Sequence, residues 1–310
     1  MISDLFRLFH IFPTPYYDYY NKFNIDPAVQ HPSRMEHELK PVIQKRRDER
    51  LNIICDKTLL SAAIDGVSKA VTLRSTIPVL EGILLKAEGF QLTLTGYDLE
   101  MGIVTTIEAN VKEPGEIVLN AKLLSSMISR MPSGQITIQS ADNGKTTIQS
   151  GVAQFEIQSM SATDFPELPN TGAEETLTIP TGVLRDMIDR TLYAVSQDEK
   201  KPAHTGELFE IEPDKLTVVA LDGYRLAIVE RPIQAVKDIR IIVPSKTMTE
   251  VAHLLANDDE ELVHICANRR YVVFMTAGYT IMSRLIEGEF LNYHNVIPDG
   301  SRTRVTLDTK

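Results

Sequence analysis

Asp222, Gly223, Tyr224 and Arg225 stand consecutively in ALDGYRLAIVE (220–230), between two apolar runs. A carboxylate, a phenol and a guanidinium so close together suit three uses: acid–base chemistry, a tight turn, or the docking of another molecule. Asp-Gly by itself is a good turn dipeptide. His204 supplies an imidazole for the acid–base reading, which keeps an enzyme among the alternatives. A second group, HICANRR (264–270), pairs His264 with Cys266. Strand alternation puts those two on one face, and a structural strand is favoured there over a nucleophile pair. The seven histidines are scattered, with no HExxH, GxSxG or Walker glycine loop. The two cysteines, Cys55 and Cys266, form no CxxC. That fits a reducing cytoplasm and argues against a disulfide frame or thiolate zinc site. No catalytic set, metal site or cofactor is expected.

The elements that must position these residues are bounded by composition. The chain has 310 residues, 43% hydrophobic and 24% charged, which suits a globular protein of two or three domains. No apolar run approaches the roughly 18 residues of a membrane span, and MISDLFRLFHIF lacks the marks of a secretory signal. The formal charge of −10 disfavours nucleic acid weakly, since binding depends on where charge sits.

A repeat organises the rest. TIPVLEGILLKAEGFQLTLTGYDLE (76–100) lies against KKPAHTGELFEIEPDKLTVVALDGYRLA (200–227). Pro78/Pro202, Gly82/Gly206, Leu92/Leu216 and Asp98/Asp222 all share one offset of 124 positions. The same offset carries LLSAAIDGVSKAV (59–71) onto VLRDMIDRTLYAV (183–195) and IVLNAK (117–122) onto IIVPSK (241–246), after which the register drifts by a few residues. Two copies of one domain of about 120 residues follow. In each, a first helix is predicted, with Leu59, Leu60, Ala63, Ile64, Val67 and Val71 on one apolar face. A second helix opens at Asn120 in one copy and Ser245 in the other, both candidate N-caps. Runs such as QLTLT, EIVLN, QITIQS, KTTIQS and AQFEIQS alternate as strands. The fold class is α+β: tandem copies, each with two helices packed on antiparallel sheet and covering one face of it.

VSKAVTLRSTIPVLEGILL, GYDLEMGI, DFPELP and DGYRLA resemble the bacterial DNA polymerase III beta subunit family, the sliding clamps, from Leu51 to about Lys310. The resemblance implies a DNA clamp fold and a processivity factor rather than an enzyme. Two subunits of three domains join head to tail around double-stranded DNA, with helices lining the hole. Polymerase and clamp-loader subunits attach through short peptide motifs. On this reading residues 51–170 are clamp domain 1, 171–298 domain 2, and TRVTLDTK within 299–310 opens a truncated domain 3. A two-domain fragment or decoy, unable to close a ring, is the alternative. Residues 1–50 match nothing in the family, and a mis-called start is favoured. Leu51 would be a TTG start and Arg46-Arg47 an AGG-AGG ribosome site, which the nucleotide sequence tests.

Two sets of site residues follow. Sliding needs cations that touch phosphates without reading sequence. Arg74, Lys122, Arg130, Arg185, Arg190, Lys200, Lys201 and Lys246 lie on or beside the helices. Lys122 and Lys246 match across the repeat, and the resemblance points Arg74, Lys122 and Lys246 into the hole. A solvated basic helix face is the plainer meaning of such residues. The resemblance also implies a partner-peptide pocket formed by His204, Leu221, Gly223, Tyr224, Arg225, Leu226, Leu291, Asn295 and Val296. Copy one has Asp98 but no following Gly-Tyr-Arg, an asymmetry expected of docking rather than of a turn.

Overall fold

The computed structural model describes residues 50–72, 74–141, 143–258, 260–297, 300, 305 and 306, all within one compact unit, Gln44–Lys310. The expectations for residues 1–49, and nearly all of those for 299–310, lie outside them.

The first copy opens with β1 (Asn52–Asp56) and α1 (Lys57–Val67), followed by β2 (Gly82–Glu88), β3 (Gln91–Tyr97), β4 (Met101–Glu108), β5 (Asn110–Glu113) and β6 (Gly115–Asn120). Then come α2 (Ala121–Arg130), β7 (Gln135–Ser140), β8 (Lys145–Ser150), β9 (Ala153–Gln158) and β10 (Met160–Ser161). The second copy runs through β11 (Glu174–Pro180), α3 (Thr181–Thr191), β12 (Gly206–Ile211), β13 (Lys215–Leu221), β14 (Leu226–Pro232) and β15 (Ile239–Pro244). It closes with α4 (Ser245–Leu254), β16 (Leu262–Ala267), β17 (Tyr271–Met275) and β18 (Tyr279–Arg284). The repeat extends to single pairings. Ile53 opposite Val111 recurs, 124 residues on, as Leu177 opposite Ala235. The later drift is small: Ala153–Gln158 falls on Tyr279–Arg284 at an offset of 126.

Local chemistry sets the helix starts. The Asp56 carboxylate accepts from Thr58 N (2.7 Å) and Leu59 N (3.2 Å), and Asn120 caps α2 by accepting from Leu123 N (3.1 Å). Ser245 does not cap α4. Strand β15 runs to Pro244, whose fixed φ leads straight into the helix, so Ser245 is its first residue. Along α1, Leu60, Ala63, Ile64 and Val67 are buried as predicted, but Leu59 is half exposed.

Both helix pairs pack on two sheets rather than one. Helix α1 touches β3 and β4 and also β1, which belongs to another sheet. The single-face expectation is therefore corrected, because two sheets converge on each helix pair. Among the described residues the sheets run β5-β1-β7-β8-β9, β14-β13-β12-β15, and a nine-stranded sheet β10-β6-β2-β3-β4-β18-β17-β16-β11. That last sheet crosses from one copy to the other where β4 pairs with β18, Ile103 opposite Ile281. Strand β14 is the repeat counterpart of β4, and β9 of β18, and both stand at sheet edges. Among the described residues no helix is long and apolar enough to cross a membrane.

Candidate docking turn and DNA-facing residues

The opening motif is a hairpin turn between β13 and β14. Asp222 N donates to Arg225 O (3.3 Å), and Asp222 Oδ1 accepts from Tyr224 N (2.9 Å) and Arg225 N (3.1 Å). Gly223 takes the left-handed φ of 91° that the turn needs. Those N–H bonds, Tyr224 first, and the Arg225 guanidinium hold the Asp222 carboxyl below its usual range.

The first copy builds the same turn. Asp98 N donates to Met101 O (3.1 Å), and Asp98 Oδ1 accepts from Glu100 N (3.0 Å) and Met101 N (2.7 Å). Leu99 holds φ 77° at the place of Gly223. The turn is thus structural in both copies, and the asymmetry inferred from sequence must be narrowed. Only the side chains differ: Glu100 and Met101 in one copy, Tyr224 and Arg225 in the other. Tyr224 is fully exposed, with Tyr193 also exposed nearby. Arg225 spans the two features of this surface. Its Nε donates to Asp222 Oδ2 (2.8 Å), and its guanidinium carbon stands 5.6 Å from the Tyr193 ring centre.

Beside the turn, the outer face of the β12–β15 sheet carries a small apolar cluster. It joins Leu208, Val219, Leu221, Ile242, Phe290 and Tyr293, with Leu226 and Ala203 packed against it. Phe290 meets the His204 ring edge-on at 5.5 Å, and Tyr293 OH donates to Glu210 Oε2 (2.5 Å). So the structure brings Leu226 and His204 to one patch. Leu221 is buried under the chain's own Phe290 and Tyr293 segment, which makes it support for the patch rather than contact surface. Leu291, Asn295 and Val296 are exposed on that same segment. Phe290 and Tyr193 were missed from sequence. Tyr193, where the first copy has Lys69, was the available signal; Phe290 has a buried counterpart in Phe165 of DFPELP. Burial and then Lys201 hold His204 below its ordinary pKa, so it is neutral near pH 7. The other chemical candidate, Cys266, is a buried thiol pushed up to about 11, and its neighbour His264 bonds Thr178 Oγ1 (2.9 Å). Such a thiol is a poor nucleophile.

The basic residues divide. Lys122 and Lys246 are each the second residue of their helix. Lys246 bonds Asp98 Oδ2 across the copies and so clasps them together. Arg190 is held by Asp186 (2.7 Å), while Arg185 donates to Leu255 O (3.2 Å) and lies 3.8 Å from Asp189. Arg74, Lys122, Arg130, Lys200 and Lys201 are exposed and make no ion pair among the described residues.

Comparison with known proteins meets this geometry. The profile of the DNA polymerase III beta subunit N-terminal domain matches residues 51–169, and that of its central domain matches 178–292. The beta sliding clamp of Halalkalibacterium halodurans is 32% identical over 272 residues, covering 84% of this chain and 71% of that protein. The one from Bacillus subtilis is 31% identical over 264 residues, covering 82% and 70%. The crystal structure of a Bacillus subtilis DNA polymerase sliding clamp superposes with a TM-score of 0.78 at 29% identity, covering 81% and 69% of the two chains. A Pseudomonas aeruginosa sliding clamp bound to griselimycin gives 0.77 at 31%, covering 82% and 69%.

Two α+β copies fused through one continuous sheet define the class: a protein of tandem clamp domains. Within that class the chain belongs to the DNA polymerase III beta subunit, or sliding clamp, family.

Proposed function

We propose that this chain acts as a sliding clamp subunit, encircling duplex DNA without sequence preference and tethering polymerase for processive synthesis. It does so as a processivity factor rather than as a catalyst, with domains at 51–170 and 171–298. The observation that carries this reading is the match of both domain profiles to two copies joined edge to edge through β4 and β18. Subunits assemble head to tail, a reading supported by β9 in the first copy and β14 in the second, each the edge of its own sheet.

Arg74, Lys122, Arg130, Lys200 and Lys201 are the favoured phosphate contacts, because their charges are not already spent on neighbours. Arg185, Arg190 and Lys246 contribute less. Polymerase and clamp-loader peptides, mostly apolar, dock on Tyr224, Leu226, Leu291 and Val296 beside His204, Gly223 and Asn295. Arg225 offers the carboxylate or carbonyl partner. Its support is the exposed Tyr224, Leu291 and Val296 of the second copy.

Primer extension by polymerase III core with clamp loader tests the assignment. Added chain is expected to lengthen products in single binding events. Tyr224→Ala, which removes a ring wholly in solvent, is expected to weaken partner-peptide binding about tenfold, the loss of one interface aromatic. Products of equal length with and without the chain would overturn the reading.

A further inference from the structure

On the outer face of the second copy's sheet an apolar row gives way to a polar one. Leu208 of β12 stands opposite Ile242 of β15, and two residues along the same face Glu210 stands opposite Arg240. Tyr293 bridges the two rows. Its ring is buried in the cluster with Leu208 and Ile242, and its hydroxyl donates to Glu210 Oε2 (2.5 Å). Glu210 Oε1 lies 3.1 Å from Arg240 Nε. Both carboxylate oxygens are therefore engaged, one by the neighbouring strand and the other by the Phe290–Val296 segment. Burial, and then Glu210, push the Tyr293 phenol above its ordinary pKa, so the hydroxyl keeps its proton and remains the donor.

The first copy is built without this bond. At the repeat offset Glu210 and Arg240 correspond to Lys86 and Glu116, again an opposed pair but with the charges exchanged. Tyr293 corresponds to Leu168 of DFPELP, as Phe290 does to Phe165. Leucine has no hydroxyl and lysine no acceptor, so neither half of the bond exists there. Leu168 is seated directly on strand β4 instead, where a Cβ at Gly102 would lie 2.5 Å from its Cδ2. The second copy has Leu226 at the place of Gly102, and that side chain closes the seat. The fold alone does not require the bond, since the first copy forms without it. Both halves of the bond are found together in the copy that carries the docking turn.

We propose that Glu210 is a positioning residue for partner docking: gripped by Arg240, it latches Tyr293 to the sheet and so fixes where Leu291 and Val296 stand. Those two residues lie two positions before Tyr293 and three after it. The segment's own regular structure is one short turn, Tyr293–Val296, in which Asn295 N donates to Asn292 O (3.2 Å). A single turn of that kind holds its shape weakly by itself, so its anchor decides its place. The proposal rests on the docking reading above and deepens it by naming what holds one wall of the site in position.

Two measurements on the 310-residue chain test it together: hydrogen exchange across residues 290–297, read by mass spectrometry, and affinity for immobilised polymerase III core. Tyr293→Phe removes one hydroxyl and leaves the ring in its cluster, so circular dichroism is expected to be unchanged. Exchange in the segment is expected to quicken several-fold, and affinity to fall about tenfold, the loss of one hydrogen bond to a charged acceptor. Glu210→Ala is expected to do the same, with no further loss when Tyr293→Phe is added to it. Glu210→Gln, which keeps an acceptor, is expected to retain most of the affinity. Unchanged exchange in Tyr293→Phe, or losses that add in the double variant, overturns the latch. Faster exchange with undiminished affinity overturns the positioning role and leaves the docking reading standing. A parent chain that does not bind the core overturns the docking reading and the positioning role with it.

Discussion

Leu99 and Gly223 hold one left-handed backbone at matched places, with φ 77° and 91°. A Cβ at Gly223 would meet nothing within 4 Å, so Gly223→Ala acts through backbone strain alone. Urea denaturation should show a loss of about 1 kcal/mol, the cost of a side chain in that region; an unchanged midpoint would contradict it. Glu207 is a different residue-scale feature. It is wholly buried on β12, where the first copy has Ile83. Its Oε1 accepts from Thr191 Oγ1 (2.5 Å), and Oε2 has no partner among the described residues. Burial pushes its pKa to about 8, against the Thr191 bond, which lowers it. The folded chain therefore keeps this proton up to about pH 8, while the unfolded chain releases it near its ordinary 4.5. Between those values the folded state binds more protons, so stability falls as pH rises and levels off above about 8. Denaturation between pH 5 and 8 should show a decline of roughly a few kcal/mol, flattened in Glu207→Gln. An equal slope in the variant would contradict the assignment. Sequence revealed the Asp222 turn but not its sharing with Asp98, because Leu99 hides a left-handed position behind an ordinary side chain. It was silent on Glu207, since nothing local distinguishes a buried strand glutamate from an exposed one.

At the scale of elements, alternation carried five strands of the first copy, and spacing, caps and the repeat together carried the four helices among the described residues, because each buries one face and exposes the other. What it did not carry was the number of sheets under each helix pair, since burial of a helix face does not say which strands cover it. Helix α1 sits so close to β3 that Gly96 is required. A Cβ there would lie 2.1 Å from Val67 O at the end of the helix. Backbone cannot yield as a flexible side chain does. Gly96→Ala is expected to lose about 1–3 kcal/mol, read as a lower urea midpoint; an equal or higher midpoint would show that the helix can shift freely. Ser245 illustrates the converse error. A serine at the start of a helix reads as a cap, but the proline before it had already set the entry.

For the whole molecule, the repeat was the most legible feature, because one offset links residues in several separate elements. Its consequence for assembly was not legible. The pairing of β4 with β18 joins residues about 180 positions apart, and only that pairing shows that Lys246 clasps the copies through Asp98. The proposed function has this chain hold DNA by encircling it. A topologically linked ring leaves only by sliding off an end, whereas a surface binder leaves according to phosphate contacts and salt. The direct measurement loads the chain, with clamp loader, on nicked circular DNA in low salt. Retention is then followed at high salt before and after a single restriction cut. Retention on the circle and rapid loss once it is linear are expected. Equal retention on both forms, or release from the circle at high salt, would contradict it.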